Sequence, residues 1–492
     1  MAAMILFFIL IMTILVMILL KQLLFPTKAP PSYYGPKSHP HPLIGSLIPF
    51  YRNRRRLLHW YTELLTDSPS HTITLSRLGA RRTIITSNPS NVEHILSTNF
   101  PNYPKGKAFT DILGDLLGSG IFNSDGHLWL SQRKLASHAF TLRSLRDLIH
   151  HILLPELSHH FLPSLIPDGR TVIDLQKLLR SFTFRIVCQM FVGPLSADHL
   201  QLEEAMDVAS AISAARGSAP IALLWKAKRA LGIGSEQHLW EAVDLVHRLV
   251  TDIVLRNRSE TKNPSNSLLS RILKKGRIFH GVKEEIWIRD MVISLLMAGK
   301  DTTSSALTWF FWLLSTHPKV EEKILNELKL WIKSEEEEEM SYESLKGLKY
   351  LEASLMETMR LYPPVAWDSK HAVTDDILPD GTLIRKGDRV TYFPYGMGRM
   401  EAIWGEDWRE YRPERWMGEL LRVSPYKFPV FQAGPRVCLG REMAMVQMKF
   451  VAAAVLRRFQ LRWVGTETPV IVPHLTTLMA GGLPVVILER GL

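Results

Sequence analysis

A mainly helical body with a minor β-sheet, folded as a single domain behind a membrane anchor, is the fold class the sequence predicts. Three observations predict it. Six segments, 128–162, 236–256, 283–316, 319–333, 344–361 and 440–459, space their apolar residues with a helical period. Strand-like runs are shorter: HTITLSRLG and RRTIITS near the start, LIRKGDRVTYFP near 383–394 and LPVVILE at the end. No stretch of the body reads as a linker that would divide it, no internal repeat is visible, and no second apolar span reaches twenty residues.

The elements follow in chain order. MAAMILFFILIMTILVMILL carries no charge, and twenty helical residues span about 30 Å, the hydrocarbon thickness of a bilayer. A cleaved signal peptide is the competing reading, but the start is neutral, the apolar run is long and no A-x-A site follows. Residues 1–25 are therefore expected to form a retained anchor. The basic residues after it, from Lys21 to Arg56, leave the remainder on the cytosolic side. Residues 26–45 hold six prolines, which stiffen the chain and keep pre-proline residues out of helix; the segment reads as a proline-rich hinge. His39 and His41 within it belong to that linker rather than to a metal site. The body runs from 46 to 492. Inside it, RNRSETKNPSNS (256–267) is a surface loop, and Glu335–Glu339 form a solvated acidic one.

Composition narrows the function classes. The chain has 492 residues, 46% of them hydrophobic and 22% charged, enough for a large core and too apolar for wholesale disorder. Two cysteines exclude a disulfide framework and a four-cysteine zinc site. The net charge of +11 lacks the basic–aromatic alternation or zinc-finger spacing of a nucleic-acid binder. An anionic membrane surface or an acidic protein partner suits it better.

Attention then falls on Cys438. Its loop, FPVFQAGPRVCLGREMA, places Gly434 and Gly440 around the thiol and Arg436 two residues before it, and an apolar-periodic helix starts right after Gly440. Free N–H groups and the positive end of a helix dipole favour thiolate there, and Arg436 adds charge. The glycines let the backbone bend and a flat ligand approach. A thiolate nucleophile would want a nearby base, which the local sequence does not supply. The other cysteine, Cys188, reads as a small buried hydrophobe.

The pattern Phe431-x-x-Gly434-x-Arg436-x-Cys438-x-Gly440 resembles the haem-binding loop of cytochrome P450 monooxygenases. Three further motifs follow the family's order. AGKDTT (298–303) is similar to the centre of the helix that crosses the haem: Thr302 matches the threonine that hydrogen-bonds the oxygen being activated, and Asp301 the acid of the proton-delivery pair. An aspartate and two threonines are costly in an apolar helix, which argues for a use; Gly299 leaves room for a small molecule. ETMR (357–360) and PERW (413–416) resemble the pair of segments whose Glu357, Arg360 and Arg415 form a structural network behind the cysteine loop. WLSQR puts Trp129 and Arg133 on one helix face; by resemblance these two, with Arg436 and His371, meet the haem propionates.

The resemblance covers nearly the whole chain and implies a single-domain P450 fold over 46–492. It also implies haem b ligated by Cys438, O2, NADPH-derived electrons through NADPH–cytochrome P450 reductase, and an endoplasmic-reticulum membrane location with the catalytic domain cytosolic. Segments such as FPNYPKGKAFTDILGDLLGSGIFNSDG and MRLYPPVAWDSKHA are similar to the plant fatty-acid ω-hydroxylase clan, nearest to the branch with jasmonoyl-amino-acid 12-hydroxylases. The chain departs from relatives at Ala139 and Lys300, where glutamate and arginine are frequent. Substrates of that branch carry a carboxylate far from the oxidised carbon, so Lys105, Lys107 and Arg216 are candidates for orienting it. Other hydrophobic metabolites such as sterol side chains, a hydroperoxide-rearranging relative and a non-catalytic haem protein are the alternatives; the intact AGKDTT argues against the second.

Overall fold

The computed structural model describes residues 44–490, except 78–79, 167–170, 195–197, 260–266, 275–283, 332–339 and 419–422. The expected anchor, all but the last two residues of the hinge, the acidic run at 335–339 and most of the 256–267 loop lie outside the described residues. Among the described residues no helix is long and apolar enough to cross a membrane.

The described residues form a stack of helices with four small sheets. Its axis is the helix Glu284–Thr316, 33 residues and about 50 Å long. From Trp287 to Leu314 almost every side chain is buried, so the helix is surrounded rather than amphipathic. Its polar residues survive burial by bonding back along the helix. Ser294 Oγ donates to the Asp290 carbonyl at 2.9 Å, Thr302 Oγ1 to Ala298 at 2.7 Å, Ser304 Oγ to Lys300 at 2.9 Å and Thr308 Oγ1 to Ser304 at 2.7 Å.

Along one side of this helix lies Leu175–Phe191, and Gly299 is a point of close approach. A Cβ at Gly299 would stand 2.2 Å from Val187 Cγ2. The glycine therefore serves helix–helix packing, and it also belongs to the wall of a cavity, in keeping with the room for a small molecule that the sequence suggested. Arg441–Arg458 packs on another side through the all-buried run Phe450–Leu456. It ends in the strand Phe459–Trp463, which pairs antiparallel with Pro484–Glu489 in the register Val485↔Trp463.

The largest sheet has four strands. Thr72–Leu75 and Thr83–Thr86 form a hairpin, Arg389–Tyr392 runs parallel to the latter, and Asp368–His371 closes the edge. The helix Leu57–Asp67 presses Trp60, Tyr61 and Leu64 into the core.

Three expected segments are interrupted for local reasons. The span 128–162 is a helix Gly126–Ser137, then a second helix from Leu142 whose cap is Thr141 accepting from the Ser144 N–H at 3.2 Å. Wide i→i+5 turns flank Pro155, which has no N–H for the ordinary ladder. The span 344–361 divides at Leu348 into Tyr342–Gly347 and Lys349–Leu361. LIRKGDRVTYFP holds two strands around a turn at Gly387, with φ +86°.

The Gly299–Val187 contact is testable. Gly299→Ala should cost about 1–3 kcal/mol in denaturant unfolding, and Val187→Ala in the same chain should return a substantial part of it. Equal stability of the single and double variants would contradict this packing.

Candidate active site

Between the axial helix and the N-terminus of Arg441–Arg458 lies an apolar cavity enclosing about 1400 Å³ of atom-free space, part of it open to solvent. Ala298, Gly299, Thr302 and Thr303 line it from the axial helix; Phe431, Arg436, Cys438 and Gly440 line it from the cysteine loop.

The loop is fixed by its backbone. The Cys438 N–H donates to the Phe431 carbonyl at 2.8 Å. Gly434 has φ +63°, and a Cβ on it would lie 2.0 Å from the Leu96 carbonyl oxygen, so conformation and space both demand glycine. Gly440 is the N-cap of Arg441–Arg458 with ordinary dihedrals; a Cβ there would stand 4.0 Å from Cys438 Sγ. Cys438 is exposed to the open cavity. Even so, the protein packed around the sulfur makes burial the largest influence on the thiol and pushes its pKa up. The Gly440 N–H and the charges of Arg133 and Arg441 pull the other way. Arg436, expected to supply that charge, instead donates to Asp125 Oδ1 at 2.6 Å and the Ser124 carbonyl at 2.9 Å, and lies 4.4 Å over the Trp129 ring. Cys188 is buried and free, and burial pushes its thiol up strongly.

Trp129 and Arg133 share the wall with Arg436, and Arg133 Nη2 donates to the Val437 carbonyl at 2.7 Å. His371 does not reach this wall. Strand residues alternate faces, and in Asp368–His371 it is Asp368 and Lys370 that line the cavity. His371 Nδ1 bonds to the Lys105 carbonyl at 2.8 Å, and burial lowers the imidazole to about 4. Lys105, Lys370, Arg133 and Arg436 bring four cations to the cavity, against the carboxylates of Asp368 and Asp125.

The remaining candidates separate clearly. Lys107 is exposed and pairs with Asp111 at 2.9 Å. Arg216 is buried between Asp115, at 2.7 Å, and Glu236, so its charge is already matched and is not free for a substrate carboxylate. Thr302 faces the cavity, but Asp301 is not among its lining residues. Asp301 Oδ1 accepts from Arg180 Nη2 at 3.3 Å. Arg180 also donates to Asp207 at 2.6 Å, and Lys300 bonds Asp207 as well. Sequence reasoning missed Lys370, Asp368, Arg180 and Asp207; only the Asp–x–Lys alternation of DSKHA carried a signal for the first two.

Behind the loop, Glu357 is fully buried. It accepts from Arg360 Nε and Nη2, both at 2.8 Å, from Trp416 Nε1 at 2.8 Å, from the Arg412 N–H at 3.1 Å and from Arg415 Nε at 3.4 Å. Trp416 packs on Phe428 with ring centroids 4.6 Å apart, and Phe428 opens the cysteine loop.

The sequence matches the family model "Cytochrome P450" over residues 35–483. The chain belongs to the cytochrome P450 family. Among curated relatives it is 52% identical to cytochrome P450 94B1 of Arabidopsis thaliana, covering 95% of this chain and 94% of that one. It is 43% identical to cytochrome P450 94A1 of Vicia sativa, covering 92% and 90%. Among solved structures, the cytochrome P450DA haem domain superposes with a TM-score of 0.79 at 19% identity, over 92% of this chain and 97% of that one; at that identity the likeness concerns the fold. Membership makes the chain a monooxygenase, an oxidoreductase that uses haem b, O2 and reductase-derived electrons. The cavity fits that cofactor on its own evidence. Two arginines and two lysines face two carboxylates, a surplus of basic groups that suits the propionates, and the buried Arg436 Nε has no partner among the described residues. Cys438 is the one thiol among the lining residues and would supply the protein's ligand to the haem iron.

Two outcomes follow. Glu357→Ala should lower stability by about 3–5 kcal/mol, because it leaves two arginines buried without their shared acceptor; urea unfolding measures this. His371 is held neutral, its pKa below the unfolded value of 6.5. The unfolded chain therefore binds the extra proton, and stability falls as pH drops from 6.5 towards 4. His371→Gln should remove up to about 3 kcal/mol of that acid sensitivity, read as the difference between the two unfolding-versus-pH profiles.

Proposed function

We propose that the chain hydroxylates the terminal (ω) region of a fatty acid or of a jasmonoyl-isoleucine-type oxylipin conjugate, inserting one oxygen atom of O2 into a C–H bond. The observation that carries the proposal is the cavity itself: one sulfur at a helix start, Thr302 on the axial helix, and apolar walls between. The relatives at 52% and 43% identity support the same branch of the family.

Cys438 would ligate the haem iron, whose thiolate-bound form supplies the oxygen-activating chemistry. Trp129, Arg133, Arg436, Lys105 and Lys370 would hold the propionates, and Glu357, Arg360 and Arg415 would keep the loop in register. Thr302 would present its hydroxyl to the reacting oxygen, giving up its bond to Ala298. Asp301 would pass protons to it after turning from Arg180. Ile121, Phe122 and Leu295 line the cavity as apolar walls that exclude water and hold an alkyl chain. Of the cations considered for the substrate carboxylate, Lys105 alone lines the cavity, shared with Asp368.

Residues 1–25 would anchor the protein in the endoplasmic-reticulum membrane in a single pass, with the hinge 26–45 and the catalytic domain on the cytosolic side. The family works with NADPH–cytochrome P450 reductase and hydrophobic substrates, and the surplus of basic residues suits an acidic reductase surface.

Purified protein with reductase and NADPH should yield ω-hydroxylated products from long-chain fatty acids or jasmonoyl-isoleucine. Turnover of sterol side chains alone, or none, would overturn the proposal. Thr302→Ala should keep the carbon-monoxide spectrum while the ratio of product to NADPH consumed falls at least about tenfold.

A further inference from the structure

The cavity wall holds a buried strut that no motif of the cysteine loop announces. Asp368 is buried and receives four donors. Oδ1 accepts from Lys105 Nζ at 2.6 Å and the Ser369 N–H at 2.8 Å; Oδ2 accepts from Lys370 Nζ at 3.1 Å and Tyr392 Oη–H at 2.8 Å. Tyr392 is fully buried, and its hydroxyl also meets the side-chain amide of Gln432. Gln432 belongs to the cysteine loop, six residues before Cys438. Its backbone has φ +63° and ψ −179°, a region in which almost only glycine is at ease. A side chain is thus kept at a position that favours none, and that side chain reaches the hub of the lysine pair.

We propose that Asp368 is a positioning residue that couples the carboxylate-holding end of the cavity to the cysteine loop through Tyr392 and Gln432. Lys105 and Lys370 face the cavity and share this one carboxylate. A cofactor carboxylate seated on the lysines draws on the same charges that hold Asp368, and Asp368 in turn fixes the Tyr392 hydroxyl against the loop. Burial alone would raise the Asp368 carboxyl, but the two ammonium groups hold it far below the usual range. Burial lowers Lys370 to about 7, with Asp368 resisting. The inference concerns the cofactor site and is independent of which substrate is oxidised.

Three holoprotein variants test it with readouts that need no substrate. These are the rate at which carbon-monoxide spectra lose the thiolate signature, haem transfer to apomyoglobin, and the urea midpoint. Tyr392→Phe severs the strut and leaves the lysines paired; thiolate loss should accelerate several-fold while haem transfer stays unchanged. Asp368→Asn should accelerate both. Gln432→Gly removes the amide and relieves the backbone, so the urea midpoint should rise while thiolate loss accelerates, a divergence that a purely structural role would not produce. Thiolate retention as in the parent protein for both Tyr392→Phe and Gln432→Gly would overturn the inference. Absence of a thiolate spectrum in the parent protein itself would instead overturn the assignment of Cys438.

Discussion

One fully buried carboxylate organises the half of the molecule behind the cysteine loop. Glu357 has left water entirely, so each of its lone pairs must meet a donor or the fold loses several kcal/mol. Five N–H groups meet that demand, from Arg360, Arg415, Arg412 and Trp416. The two arginines then spend their remaining N–H groups on backbone carbonyls of Trp404, Asp407, Trp408 and Glu410. A stretch with little regular structure becomes as determinate as a helix. Gly398 shows how tightly: a Cβ there would stand 2.0 Å from the Arg360 carbonyl oxygen.

The grouping of several candidate residues was legible in the sequence. The cysteine loop, Thr302 of AGKDTT and the Trp129–Arg133 pair rest on residues close in the chain, whereas ETMR and PERW lie far apart in it and were joined through the resemblance; the structure brings them together. Trp129, Arg133, Thr302, Arg436 and Cys438 line one cavity, while Glu357, Arg360 and Arg415 meet behind it. The long helices were legible for the same reason, since their apolar period persists over many turns.

What failed depended on partners far along the chain. Arg216 looked like a free cation until Asp115 and Glu236 closed on it from two other helices. Arg436 was expected beside the sulfur, but Asp125 and the Trp129 face hold it elsewhere. Asp301, matched to the acid of a proton-delivery pair, meets Arg180, a partner the sequence did not show. In each case the competing charge lies more than a hundred residues away or on an unrelated element, and no local pattern signals it. The helix Leu175–Phe191 escaped notice because polar residues such as Arg180, Thr183 and Arg185 interrupt its apolar face, and tertiary partners satisfy them.

The scarcity of thiols has a practical consequence. Cys188 is sealed in the core, and Cys438 opens onto the cavity. A thiol-directed reagent applied to the folded chain thus has one accessible thiol, in the wall of the candidate active site. A seated porphyrin would occupy that target, so the fraction of chains that take up label would count, molecule by molecule, those that stand empty.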